Sequence, residues 1–161
     1  MIKHASWAHG NAMVPELQSG LLVRHWGGGT QIQFTFGLNQ TPPAAWCHIP
    51  IPTPVIVNDV RLFLLFKTGQ HAAIDNVHIF DGPNRIHTWD ANIGSGGAGR
   101  RSGDHSRGID PVNTLTLPNP HSVMFGMSIA FTFVPVALTT SSPPVDPEGT
   151  LLITAAGADF F

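Results

Sequence analysis

The stretch TQIQFTFGL, residues 30–38, decides the reading of the whole chain. Ile32, Phe34 and Phe36 fall on one side of a period-two pattern, and Gln31, Gln33 and Thr35 fall on the other. That alternation is a strand with one dry and one wet face. The same period continues outward. In HSVMFGMSIAFTFVPVAL, residues 121–138, the residues Val123, Phe125, Met127, Ile129, Phe131 and Phe133 share one parity. Ser122, Gly126, Ser128, Ala130 and Thr132 share the other, with Met124 the exception. A long strand with a bulky core side and a small side against another surface is predicted there. Asp59 to Lys67, DVRLFLLFK, is apolar on both parities, as a central strand covered on both faces should be.

Shorter strands are predicted near 2–8, 11–18, 20–26, 45–51, 72–80, 85–90, 112–117 and 150–156. Prolines and glycines punctuate them at short intervals, and no segment carries a 3.6-residue stripe beyond one helical turn. The expected fold is therefore all-β, an antiparallel β-sandwich of jelly-roll type, with a closed β-barrel as the alternative. At 161 residues the chain fits one domain over 1–161. Two loops break the rhythm, a Gly-rich one at 91–110 and a Pro/Ser-rich one at 139–149.

Charged residues are only 11% of the chain, against roughly a quarter in ordinary soluble domains. A surface so poor in charge points to a homo-oligomer, with strand edges, PIPTP at 50–54, or the small-residue face near Ser128 and Ala130 meeting the partner. The net charge of −2 gives no field that would gather nucleic acid. The single Cys47 forms no internal disulfide and reads as a buried small hydrophobe. No window reaches the length of a membrane span, and residues 1–13 lack the apolar run of a signal peptide. The expected location is cytoplasmic, or exported without a classical signal peptide.

The stretch DNVHIFDGPNRIHTW, residues 75–89, raises a question of chemistry. With Asp81 to Asn84 as a hairpin turn, Phe80 pairs with Arg85, and His78 then faces His87. Opposed Cβ atoms about 4.5–5.5 Å apart would let two imidazoles share a divalent transition metal. A third ligand would come from His105 or Asp104, or from His71. The ordinary alternative is two polar side chains on the wet side of a hairpin. Other sites compete. Trp7, Trp26, Trp46 and Trp89, three of them beside histidines, are candidate sugar-stacking platforms or residues that close the core. Arg100, Arg101 and Arg107 with His105 could bind an anion, or form a solvated charged loop.

Standard catalytic sets are mostly missing from the sequence, with pairs of aspartates left open. Only Glu16 and Glu148 exist as glutamates, G-x-S-x-G and H-E-x-x-H are absent, and GSGGAG at 94–99 lacks the helix a dinucleotide site needs.

The runs HIPIPTPVIVNDVRL at 48–62, NVHIFDGPNRI at 76–86 and AAGADFF at 155–161 resemble those of a family of small uncharacterised bacterial proteins, a domain of unknown function. The resemblance implies a bacterial source, a stand-alone β domain and a turn at Asp81-Gly82-Pro83-Asn84. It implies no activity and no site. The expectation is a non-enzymatic, self-associating β-sandwich module of binding or structural role, with no cofactor. A metal-dependent enzyme or metal-binding protein built on His78 and His87 is the first alternative, and a small-glycan or anion binder is the second.

Overall fold

The computed structural model describes residues 2–17, 20–34, 44–54, 60–90, 100–135 and 149–161. The readings at 35–38, 55–59, 91–99 and 139–148 lie outside these residues. Among the described residues twelve strands form, labelled in chain order: β1 His4–His9, β2 Val14–Pro15, β3 Leu21–Trp26, β4 Gly29–Phe34, β5 Ala45–Pro50, β6 Val60–Thr68, β7 Ala72–Asp81, β8 Asn84–Trp89, β9 Asp104–His105, β10 Thr114–Thr116, β11 Met127–Pro135 and β12 Thr150–Phe160.

Seven strands make one antiparallel sheet, in the order β10-β6-β12-β4-β3, with β1 also on β12 and β9 also on β6. Five make the other, in the order β2-β5-β11-β7-β8. The protein is thus an antiparallel β-sandwich of jelly-roll type. Two separate sheets form in place of the closed barrel. As the sequence required, β6 lies inside its sheet, between β12 on one side and β9 and β10 on the other.

The core is the layer between the sheets. Leu62, Leu64, Phe66, Leu151, Ile153 and Phe160 from one side meet Cys47, Ile49, Ile74, Ile79, Phe131 and Phe133 from the other. Burial pushes the Cys47 thiol up to about 12, helped by the charge of Glu16, so it packs as a small hydrophobe. Phe34 stacks on Phe133 across the layer at 4.1 Å between ring centres.

Bulges keep the alternation in step with the core. Between Ile153 and Ala155 the β12 to β6 register slips, so the inward set passes from Leu151 and Ile153 to Ala156, Ala158 and Phe160. The strand predicted at 150–156 therefore runs on to Phe160. A second slip between Phe131 and Phe133 lets Ile74 and Val77, of opposite parity, both point inward.

Two expected strands come out shorter. Over 11–18 the chain makes a single 3-10 turn at Gly10–Ala12, capped by His9, followed by the two residues of β2. The strand expected across 121–138 begins only at Met127, and Phe125 is exposed. The reason is Asp81. Its carboxylate accepts the N–H groups of Met124 at 2.8 Å, Phe125 at 2.8 Å and Gly126 at 3.0 Å, and His121 Nε2 at 3.0 Å, which draws the chain before β11 into a loop. Within β11 the parity holds, with Ser128, Ala130 and Thr132 on the outer side.

Candidate functional site

The β7–β8 hairpin turns through Gly82 and Pro83. Gly82 takes a φ of +56°, as the first central residue of a II′ turn must, and the φ of proline suits the second. Asp81 opposes Asn84 and Phe80 opposes Arg85, as the sequence predicted. The register then slips. Ile86 is the extra residue, so His87 opposes Ile79, and His78 opposes Thr88. Opposed residues share a face, so His78 and His87 lie on opposite faces of the sheet. The expected facing pair does not form.

Each histidine has its own surroundings. His87 meets Trp89 edge-on at 4.3 Å, and burial lowers its pKa from the ordinary histidine range. His105 sits on β9 of the seven-stranded sheet. Its Nδ1 donates to Asp110 Oδ2 at 2.6 Å, its Nε2 contacts the Ser102 carbonyl at 3.1 Å, and its ring packs on Phe66. Both of its nitrogens are engaged, in the other sheet from His78. Asp104 accepts from Ser106 Oγ at 2.6 Å and Lys67 Nζ at 2.9 Å, which hold its carboxyl far below the usual range. Seven residue steps of mostly extended chain, about 20 Å, separate His71 from His78. Among the described residues no group of three His, Cys, Asp or Glu side chains is arranged to hold a metal ion.

The arginines do not converge either. Arg100 forks onto Asp75 through Nε at 2.9 Å and Nη2 at 3.3 Å, a hydrogen bond that raises its pKa further. Arg101 pairs by backbone with Ile74 and donates from Nη1 to the Val112 carbonyl. Arg107 is exposed. The described half of the Gly-rich loop is tied down as well. Asp110 accepts from Val112 N and Asn113 N, while Asn113 Nδ2 donates to the carbonyls of His105 and Gly108. Although burial opposes it, those bonds and the one from His105 lower the Asp110 pKa.

What the structure does bring together lies on the outer face of the five-stranded sheet. One row across it reads Val14, His48, Ala130, His78, Thr88. Trp46, two residues from His48 on β5, shares this face and sets its ring 4.6 Å from the His78 ring at 46°. His78 Nε2 donates to Asp90 Oδ1 at 2.9 Å, and Phe80 lies 6.5 Å farther along the same side of β7. Across Ala130, His48 Nε2 donates to Glu16 Oε1 at 2.6 Å. Farther down, Thr132 Oγ1 accepts from the backbone and side-chain N–H groups of Asn76.

Ala130 and Thr132 are almost completely buried although they point outward. The larger side chains of β5 and β7 flank them, while Ser128, in the same strip from which the sequence predicted a subunit contact, is half-buried. Over this strip Trp46 of β5 reaches His78 of β7, with a histidine–carboxylate pair on each side, His48 with Glu16 and His78 with Asp90. Sequence reasoning picked out Trp46 with His48 beside it and His78 with Phe80 on its face, but missed Asp90 and Glu16 as their company. Glu16 and His48 are separated by 32 positions, and only the β2 to β5 pairing joins them.

The other three tryptophans differ. Trp89 opposes Val77 on the inner side and packs against the core. Trp26 caps the β3–β4 hairpin at 54% exposure. Trp7 lies on the outer face of the seven-stranded sheet beside Phe63.

No family model and no curated protein matches the sequence. Among solved structures the chain is similar, at TM-scores below one half, to three carbohydrate-binding modules. The C-terminal CBM6 of LamC, a marine laminarinase from Zobellia galactanivorans, gives a TM-score of 0.43 at 10% identity, over 97% of this chain and 99% of that one. The xylan-binding module CBM15 gives 0.35 at 10% identity, over 94% and 97%. The CBM6cm-2 module of Cellvibrio mixtus lichenase 5A, solved with cellotriose, gives 0.35 at 11% identity, over 99% and 98%.

Proposed function

We propose that the protein is a non-catalytic binding module that takes a carbohydrate chain across the outer face of its five-stranded sheet. The observation that carries this reading is the placement of Trp46 against His78, with His78 tied to Asp90 and Phe80 in file behind it. A sugar ring offers an apolar C–H side and a rim of hydroxyls. It is recognised by an aromatic surface together with planar side chains that donate and accept in fixed directions. Trp46 and Phe80 supply the first, and Asp90, Glu16, His48 and His78 supply the second. Strands hold all of them except Asp90, which follows the last residue of β8, and Glu16, which follows the last residue of β2. Little ordering entropy remains to be lost when a ligand docks on such a face.

The test is affinity electrophoresis in native gels containing soluble β-1,3-glucan, β-1,4-glucan, xylan or mannan. The wild type should be retarded by at least one of them, and Trp46→Ala should weaken that interaction by about tenfold, the scale of one lost aromatic contact. Unretarded migration in all four gels would sink the reading, as would full retention by the Trp46→Ala, His78→Ala double variant.

A further inference from the structure

On the seven-stranded sheet one row of the outer face reads Trp7, Gly157, Phe63, Thr114. The next reads Ala5, Asp159, Arg61, Thr116. The indole of Trp7 lies across Gly157, where an added Cβ would stand 2.5 Å from its Cδ2 and Cε3 atoms. Only glycine leaves room for a ring seated there. Phe63 runs nearly parallel to it, at 12° with 5.5 Å between centres, and is fully buried although it faces outward.

Trp7 itself remains 42% exposed. Beside this surface Arg61 Nη2 donates to Asp159 Oδ2 at 2.6 Å, and the guanidinium stands over Phe63 at 5.4 Å and over Phe161 at 5.7 Å. Arg61 Nε is buried and has no partner among the described residues.

We infer that this is a second saccharide site, taking one neutral pyranose unit flat on Trp7 with its hydroxyls toward Arg61 and Asp159. A seated indole needs no rearrangement to accept the apolar side of a sugar. The adjacent ion pair offers a fixed donor beside a fixed acceptor, the combination a vicinal diol uses. Asp159 balances the charge of Arg61, which favours a neutral sugar over a uronate. The inference stands on the other sheet and does not require the Trp46 face to bind anything. With both faces occupied the module holds two chains on opposite sides, and acts as a cross-link.

The four indole N–H signals in a nitrogen-correlated NMR spectrum report on the four tryptophans separately, once assigned with single Trp→Phe variants. Full-length protein is titrated with cellohexaose, laminarihexaose, xylohexaose and a galacturonate hexamer. The Trp7 signal should shift with at least one neutral hexamer, and should do so unchanged in Trp46→Ala. Gly157→Ala, which displaces the ring, should weaken that response about tenfold, while Trp26→Phe leaves it intact. A Trp7 signal that stays still with all three neutral hexamers overturns the inference, whatever Trp46 does. A shift only with the galacturonate hexamer overturns the assignment to neutral sugars. Movement of Trp7 without Trp46 upholds this site and removes the other.

Discussion

His121 with Asp81 and His105 with Asp110 differ from His78 with Asp90 and His48 with Glu16 in what else the carboxylate holds. Asp81 gathers three successive backbone N–H groups besides its histidine, and Asp110 gathers two. Those carboxylates stand in for missing strand partners and shape loops. On the five-stranded face, among the described residues, the structure places a histidine on Asp90 and on Glu16 but no backbone N–H. Both side chains are partly exposed, on a surface whose shape the strands already set. The same pair of residue types thus serves as scaffold in one region and as spare bonding capacity in the other, and burial with backbone donors tells the two apart.

The largest expected effect is at Asp81, whose side chain is 3% exposed. Asp81→Ala leaves three backbone N–H groups and His121 without the buried carboxylate that accepts from them. Urea denaturation should show a loss of about 3 kcal/mol, because each buried donor left unmade costs on the order of 1 kcal/mol or more. Asp90→Ala, with 29% of the side chain exposed, should cost less than about 1 kcal/mol. Equal losses at the two positions would erase the distinction between scaffold and spare capacity.

Acid sharpens it. Burial alone would raise the Asp81 pKa, but the N–H groups of Met124, Phe125 and Gly126 and the His121 ring favour the carboxylate and bring it down to about 2. Unfolded, the group titrates near the ordinary 3.8. A lowered folded value makes the stabilisation fully present above about pH 4 and removes it as the pH falls toward about 2. The amount is about 2 kcal/mol, from 1.4 kcal/mol for each pH unit between the two values. Urea midpoints measured through that window should fall for the wild type and fall less for Asp81→Asn. An unchanged slope in the variant would assign the acid sensitivity elsewhere.

Much of this architecture was legible in period two. The alternation at 30–34, the place of 60–67 inside its sheet, and the bulky and small sides of 127–133 each appear in the structure as read, although Arg61 and Lys67 leave the outer side of 60–67 partly open. What escaped the sequence is where the alternation slips by one residue. Nothing in NRIHTW marks Ile86 as the extra residue, yet that slip alone sends His87 to the opposite face from His78. Parity likewise predicted Phe125 in the core, because a strand pattern carries no sign of a carboxylate forty-four positions away capturing its N–H. Trp46 and His78 could be named as candidates from their chemistry. Their meeting depends on β11 lying between β5 and β7, and no local pattern encodes strand order.

The smallest expected effect completes the comparison. His48 and Glu16 have 39% and 51% of their side chains exposed, so water and salt screen their attraction and each side chain loses rotamer freedom to hold it. A double-mutant cycle with His48→Ala and Glu16→Gln should give a coupling below about 1 kcal/mol that shrinks as salt is added. A coupling of several kcal/mol, insensitive to salt, would place this pair with Asp81 among the groups that build the fold, and would deprive the five-stranded face of one of its two polar rims. A small coupling has the opposite meaning. A bond that contributes so little to the free protein can be exchanged for bonds to a ligand hydroxyl at almost no cost in stability, and a binding surface needs that freedom of its polar groups.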